Sequence, residues 1–531
     1  MCGILAVHLR KQENDLNRIF NGWNMLSNRG PDDGTFSVSG NLILGFKRLA
    51  IMDTSPAGNQ PFEHGGARVI CNGEIYNHRC LEETWDICCK SNSDCECISK
   101  LFFKLSWPEL VGKLNGDFAI ILYYQDKIYF ARDRVGVRPL FMGFTKVGNF
   151  AMASYARVLR SFGCTGVQQI KPGWGVYDMV SNRLEMNLYK LPLTEIGVGD
   201  TERAIRETLI KSVKDRLMSD RPVACLLSGG LDSSLITSIV CHLVGAPNVR
   251  TYSVGMEGSE DLKYARRVAD YLGTVHTEAL FTPEEGFEVI PNVIRDLESY
   301  DITTVRASVG MWLMAYYISH NREDKVLLSG EGADELFCGY LYFHYAPGVE
   351  ELEVESRRLL NELPHYDVLR ADRCVSSHGL ELRVPFLDRR MIDLCLSTSG
   401  EEKGPKGGWE KHLLRSAFSV PQGGRSWLPE DILWRRKDGM SDGISGNGGK
   451  KWYEQIQDFV EEKVSDEEFE PHKDDFPFKE AYYYKKLFDD IFPEWGYKYD
   501  YWLPKWVSHG GDPSGRNLQI FEKEDEKPKE E

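Results

Sequence analysis

The sequence predicts an α+β sandwich followed by an α/β domain with a parallel sheet flanked by helices. Three features of the chain lead there. At 531 residues it is too long for one core, so two or three domains are expected. The first ~187 residues are rich in short β-runs with turn punctuation, whereas from Thr201 helical periods alternate with apolar β-runs. Between the two regimes, 191–199 is Pro-, Gly- and polar-rich and reads as a linker.

In chain order, a helical period at 16–26 is followed by β-runs at 41–46 and 68–71, then by a second helical period at 97–105. Further β-runs follow at 118–124, 128–131, 150–153 and 175–178, which together suggest the sandwich. After the linker come a helix at 201–217, a strand at 223–227 and a helix at 233–244. Then come a strand at 249–254, a helix at 262–272 and a strand at 325–329, an alternation that implies a parallel sheet covered on both faces. The Gly- and Ser-rich stretch 441–449 reads as a mobile loop, and the charged 522–531 as a frayed tail.

Composition narrows the class. With 80 acidic against 64 basic residues the net charge is −16, which argues against a nucleic acid or a membrane surface as main partner. No run approaches the length of a membrane span and no signal pattern opens the chain, so a cytosolic protein is expected. Thirteen cysteines, an odd count, fit reduced thiols. Cys88, Cys89, Cys95 and Cys97 lack C-x-x-C spacing, so packing is the better reading than zinc.

The most informative string is Leu226-Leu227-Ser228-Gly229-Gly230-Leu231-Asp232-Ser233-Ser234. It joins an apolar strand to a helix through small residues, whose backbone N–H groups and hydroxyls can wrap a phosphate at the helix N-terminus. Asp232 is out of place in a pure anion cradle and is expected to hold Mg²⁺. The string is neither a G-x-x-x-x-G-K-[ST] loop nor G-x-G-x-x-G, and it resembles the pyrophosphate loop of enzymes that split ATP between the α and β phosphates. A second candidate is the thiol of Met1-Cys2-Gly3-Ile4. Removal of Met1 gives Cys2 its own α-amine, so one residue supplies nucleophile and base.

Several strings share the first region with Cys2. They are Arg29-Gly30-Pro31-Asp32, Arg48-Leu49-Ala50-Ile51-Met52-Asp53, Asn72-Gly73-Glu74-Ile75-Tyr76-Asn77-His78 and Ser93-Asp94-Cys95-Glu96. Together they resemble the glutaminase domain of class II amidotransferases, an N-terminal nucleophile sandwich with αββα layers. The resemblance implies that Cys2 attacks the amide of glutamine while the Asn72 amide and the Gly73 N–H stabilise the oxyanion. It places Arg48 on the substrate α-carboxylate and Glu74 and Asp94 on its α-ammonium, with 49–52 beside them. Arg29 and Asp32 read as scaffold. Arg132–Leu140 continues the likeness, and Ser154-Tyr155-Ala156-Arg157 departs from it, because the family usually shows Ser-Glu-x-Lys there.

From Thr201 to about Gly515 the chain resembles the asparagine synthetase family. Thr251–Met256 puts Val254 against adenine, and Ser329-Gly330-Glu331-Gly332-Ala333-Asp334-Glu335-Leu336 closes a turn on the nucleotide at Ser329 and Gly330. The family usually has Ser where Ala333 stands. By resemblance Asp334 joins Asp232 on Mg²⁺, Glu331 and Glu335 line the acceptor site, and Arg383 meets the carboxylate of aspartate. Lys437 meets the phosphates as charge builds, and Asp438 follows it where Glu is usual.

The resemblance implies two activities in one chain: aspartate is adenylated by Mg·ATP, and ammonia from glutamine displaces AMP. An apolar tunnel at the domain interface is expected to carry the ammonia. The implied organisation is a glutaminase domain at 2–187, a linker at 188–200, a synthetase domain at 201–515 and a charged tail at 516–531. The partners are the small-molecule substrates, and a homodimer is left open. Two alternatives stand beside this. One is a β-lactam-synthetase-like adenylating cyclase, disfavoured by Cys2 with Arg48, Asn72 and Asp94; the other is a catalytically silent binding homologue, disfavoured by Cys2, Asp232, Glu331 and Lys437.

Overall fold

The structure is a computed structural model that describes residues 1–10, 16–189, 200–436, 443–446, 449–493, 495 and 500–507. Lys437, Asp438, most of the 188–200 linker, much of 441–449 and the 516–531 tail lie outside the described residues.

Two six-stranded antiparallel sheets form the N-terminal half. One runs Cys164–Gln169, Phe141–Thr145, Phe150–Ala153, Gly3–His8, Leu42–Arg48 and Asp33–Ser39. The other runs Arg183–Leu188, Gly173–Asp178, Lys127–Arg132, Gly116–Tyr124, Ala67–Ile75 and Phe62–His64. Side chains alternate across each strand, and here both faces are covered. Ile4 and Ala6 point between the sheets to meet Ile70, Ala119 and Ile121. Leu5 and Val7 point the other way, onto Ile19, Trp23 and Leu26 of the helix side. On the opposite outer face, Val69, Cys71 and Ile120 meet Ile98, Leu101 and Leu110. The layers are therefore αββα, and double burial explains why the sequence shows continuous apolar runs here.

The C-terminal half is built on a five-stranded parallel sheet, ordered Val275–Leu280, Arg250–Gly255, Val223–Leu226, Val326–Leu328 and Glu381–Arg383. Strand order reverses at Val223–Leu226, and in open parallel sheets the crevice for a ligand lies at the carboxyl end of such a switch point. The helix after that strand, Leu231–Val244, begins two residues earlier than the apolar spacing suggests. Asp232 and Ser233 therefore sit in its first turn, with Ser228–Gly230 in front of it. No helix among the described residues is long and apolar enough to cross a membrane.

The halves meet across a band of buried charge. Arg216 pairs with Asp117 at 3.0 Å and Asp388 at 2.7 Å, and Arg29 reaches Asp372 at 2.7 Å. Apolar residues join them: Leu49 and Ile51 of the first half pack on Val223 and Val326 of the parallel sheet.

Candidate active sites

A cavity of about 330 Å³ opens at the switch point. One wall is the phosphate loop. Ser233 Oγ receives the Ser228 N–H at 3.2 Å and lies 3.0 Å from Ser228 Oγ, so the two hydroxyls fix the loop's curvature. Gly229 makes the turn at φ 74, and a Cβ there would come within 2.5 Å of Tyr264 and Ala265. Gly330 presses on the start of the helix, where a Cβ would lie 2.8 Å from the Ser233 nitrogen. Leu227, Ser228, Gly230, Asp232, Ser233, Val254, Ser329 and Gly330 all line the cavity. Gly229 and Ser234 do not: Gly229 is turned onto the neighbouring helix, and Ser234 is fully buried behind the loop. Beside Val254 the wall is apolar, made by Gly310, Met311, Met314 and Ile444, and suits a flat heterocycle. Arg435 donates to the Gly229 carbonyl at 3.1 Å, and Met256 donates to the Ile444 carbonyl at 2.9 Å. The chain on either side of the stretch holding Lys437 is thus moored beside the phosphate loop.

The other end of the cavity is acidic. Glu331, Asp334, Glu335 and Asp367 face it, with Arg370 among them. Arg370 donates to Glu331 at 2.9 Å and to Asp367 at 3.0 Å. Burial raises the Glu331 carboxyl above its ordinary range despite Arg370, and burial with Asp367 and Asp334 raises Glu335 further. The Tyr340 hydroxyl donates to Glu335 at 2.7 Å, and Trp502 of the C-terminal segment closes the aromatic side. Glu331 Oε1 is buried without a hydrogen-bond partner, and so is Asp232 Oδ1. Such orphaned acceptors are costly unless a ligand meets them.

The second site lies in the sandwich, where Cys2 precedes strand Gly3–His8. Its Sγ is 3.7 Å from the Leu49 carbonyl, and Arg29 Nε donates to its own carbonyl at 2.9 Å. Burial pushes the thiol up to about 11 against the pull of the N-terminal ammonium. Asn72 is fully buried with both amide atoms unpartnered, and Glu74 Oε2 accepts no hydrogen bond, lying 3.5 Å from the Arg383 guanidinium. Asp94 accepts the Ile75 N–H at 2.6 Å. Burial, Asp94 and Glu381 together raise Glu74 well above the carboxylate range, against the pull of Arg383 and the N-terminal ammonium. Arg48 holds the loop after it by donating to the Ser55 carbonyl at 2.8 Å and Asn59 at 2.6 Å, and Ala50 donates to Asp32 at 2.8 Å. Arg29, Asp32, Arg48 and the 49–52 segment thus act as one brace around the thiol.

Comparison with known proteins agrees with this pair of sites. A family model described as "Glutamine amidotransferase domain" matches residues 1–171, and one described as "Asparagine synthase" matches 204–360 and 346–510. The chain is 41% identical to the glutamine-hydrolysing asparagine synthetase of Rattus norvegicus, over 93% of this chain and 95% of that protein. For the Homo sapiens protein of the same description the identity is 40%, with the same coverage of both chains. The chain belongs to the asparagine synthetase family.

Within the family frame, one expectation needs correction. Arg383 does not reach the cavity. Its guanidinium is fully buried against Glu381 at 2.8 Å and Glu74 at 3.5 Å, and donates to the Arg216 carbonyl at 2.7 Å. Strand Glu381–Arg383 is the edge of the parallel sheet that abuts the sandwich, so its side chains serve the glutaminase side, while the Arg383 carbonyl accepts the Ser329 N–H at 3.0 Å. The arginine in the acidic cavity is Arg370.

Buried ion pairs also stand at the interface. Arg29, Arg138, Asp372, Arg373 and Glu298 form buried pairs there. Tyr155, at the position of the family's usual Glu, lies under the guanidinium groups of Arg157 and Arg373, each 4.1 Å from its ring centroid. The negative charge comes from the other half instead: Glu298 receives the Arg157 N–H at 2.8 Å and pairs with Arg373 at 3.2 Å. Arg157 and Arg373 are thus met by a π-face and by the Glu298 carboxylate.

Proposed function

We infer that this protein makes asparagine: ATP, L-aspartate, L-glutamine and water give L-asparagine, L-glutamate, AMP and diphosphate. The reading is carried by one observation. A half-buried thiol beside a buried Asn72 amide without hydrogen-bond partners, and an acidic cavity at the mouth of a parallel sheet, occur in one chain of this family.

In the sandwich, residues 2–187 in this reading, Cys2 Sγ attacks the side-chain amide carbon of glutamine. Asn72 Nδ2 and the Gly73 N–H take the oxyanion, and Glu74 and Asp94 take the α-ammonium. Ammonia leaves, and water releases glutamate from the thioester. In 201–515 an oxygen of the aspartate side-chain carboxylate attacks the α-phosphorus, and diphosphate departs. Ammonia then attacks the acyl carbon of β-aspartyl-AMP and AMP leaves. Glu331 is placed by Arg370 at the acidic end, where it can take a proton from the attacking ammonia. Lys437 is assigned to the phosphates.

Asp232 and Asp334 would hold Mg²⁺. Both reach one point, the Lys411 Nζ, at 2.5 and 2.9 Å, and two carboxylates completed by phosphate oxygens are a normal Mg²⁺ environment. When bound there the ion would neutralise charge on the departing diphosphate. All thirteen cysteines are unpaired, which supports a reducing compartment such as the cytosol.

Incubating the protein with aspartate, glutamine and Mg·ATP should yield AMP, diphosphate and asparagine in equal amounts by chromatography. ADP and phosphate in their place would rule out adenylation. Processing offers a second check. The Met1 amine is buried beside Glu381 at 3.5 Å, and burial lowers its pKa. An aminopeptidase cannot reach it in the folded state, so its removal must come before folding closes. Intact-mass measurement of active protein should show a chain lacking Met1; a full-length, fully active chain would contradict the role given to the Cys2 amine.

A further inference from the structure

Lys411 stands where the cavity's two metal-type carboxylates converge. Its ammonium donates to Asp232 Oδ2 at 2.5 Å and lies 2.9 Å from Asp334 Oδ1, with only 4% of the side chain exposed. The backbone below it is fixed. Lys411 adopts φ 55 at the start of helix His412–Ala417 and its carbonyl accepts the Arg415 N–H at 3.0 Å. Arg415 is locked in turn on Glu410 at 3.0 Å and on the Leu433 carbonyl at 2.6 Å. The side chain threads past Gly339, where a Cβ would lie 2.1 Å from Lys411 Cε. A rigid base therefore carries a flexible methylene stem that ends in one positive charge between two carboxylates.

That charge and a divalent cation cannot share the position. A Mg²⁺ ion would take 2.0–2.1 Å bonds to the same carboxylate oxygens, well inside the present N–O contacts. Without the ammonium, Asp232 and Asp334 would repel each other in a partly dehydrated site. We propose that in the nucleotide-free enzyme the Lys411 ammonium occupies the place of the divalent cation, keeping the two carboxylates paired and excluding the free ion. The cation enters only with the triphosphate, whose oxygens complete its coordination and give the displaced ammonium a new anion to meet. Metal loading is thereby made conditional on the nucleotide. The proposal deepens the reading of Asp232 and Asp334 given above and rests on it.

Free Mn²⁺, followed by electron paramagnetic resonance, is the probe, titrated into full-length protein without nucleotide. Wild type and Lys411→Arg should leave the free-ion signal almost unchanged at sub-millimolar Mn²⁺. Lys411→Met should capture one equivalent at least about tenfold more tightly, since it removes the ammonium that lies between the two carboxylates. Adding Asp232→Asn to Lys411→Met should abolish that capture. Tight binding of Mn²⁺ by nucleotide-free wild type overturns the proposal with no variant needed. So does a Lys411→Met protein that unfolds cooperatively like wild type and binds no more tightly. Capture by Lys411→Met that survives Asp232→Asn places the ion elsewhere, and sinks the underlying metal assignment together with the proposal.

Discussion

Cys2→Ala abolishes asparagine formation from glutamine and leaves formation from ammonia intact. The thiol stands beside a buried Asn72 amide that has no hydrogen-bond partner and a buried Glu74 carboxylate. Removing a covalent nucleophile costs roughly 10⁴-fold or more in turnover. The substitution is small, and the contacts that brace the site run through backbone and neighbours: Arg29 holds the Cys2 carbonyl, and Arg48 and Asp32 hold the loop beyond. The parallel-sheet cavity shares no side chain with the thiol. Asparagine should be followed with glutamine and, separately, with ammonium chloride as nitrogen source. Loss of both activities, or of neither, would contradict the division into two sites.

Asp232→Asn gives the mirror result. It removes one carboxylate from the pair proposed to meet the nucleotide's cation, and loss of one charge aimed at a transferring phosphoryl group costs about 10²–10³-fold. AMP formation should fall by that factor while glutamine hydrolysis continues, because Asp232 lies in the first turn of Leu231–Val244, in the synthetase half. The two rates are separable as released glutamate and released diphosphate. A glutaminase rate that fell in step with AMP formation would mean that Asp232 acts on both sites.

Much of this was legible in the sequence because the physics is local. Strand Gly116–Tyr124 is largely buried on both faces, and 118–124 appears as an unbroken apolar run. The phosphate loop and the thiol announce themselves because their chemistry needs contiguous residues. Edge strand Val275–Leu280 is only partly buried and has no such run. The three-residue strand Glu381–Arg383 is too short for a period to show, so the direction of Arg383 could not be read. Arg370, Lys411, Tyr340 and Trp502 belong to segments far apart in the chain that meet only in the folded cavity. Nothing in a string of letters says that the Lys411 ammonium will settle between Asp232 and Asp334. Ser234 errs the other way: it belongs to the phosphate string, but helix geometry turns it behind the loop.

The charged interface follows the same logic. Arg29, Asp372, Arg138 and Tyr155 are each ordinary in sequence; Arg29 and Arg138 meet Asp372, and Tyr155 meets Arg373, across the two halves. Breaking such buried pairs is costly because the remaining charge is left without solvent or partner. The band therefore fixes how the two sites face each other, which an apolar contact alone would do less specifically.

The central claim is that the side-chain carboxylate of aspartate attacks the α-phosphorus of ATP and is then displaced by ammonia made in the same chain. It is tested most directly with aspartate carrying ¹⁸O in that carboxylate, together with unlabelled glutamine and Mg·ATP. Mass spectrometry of the products should find one ¹⁸O in the phosphate of AMP, one in the amide of asparagine and none in diphosphate. AMP without label, or label in inorganic phosphate, would contradict the account.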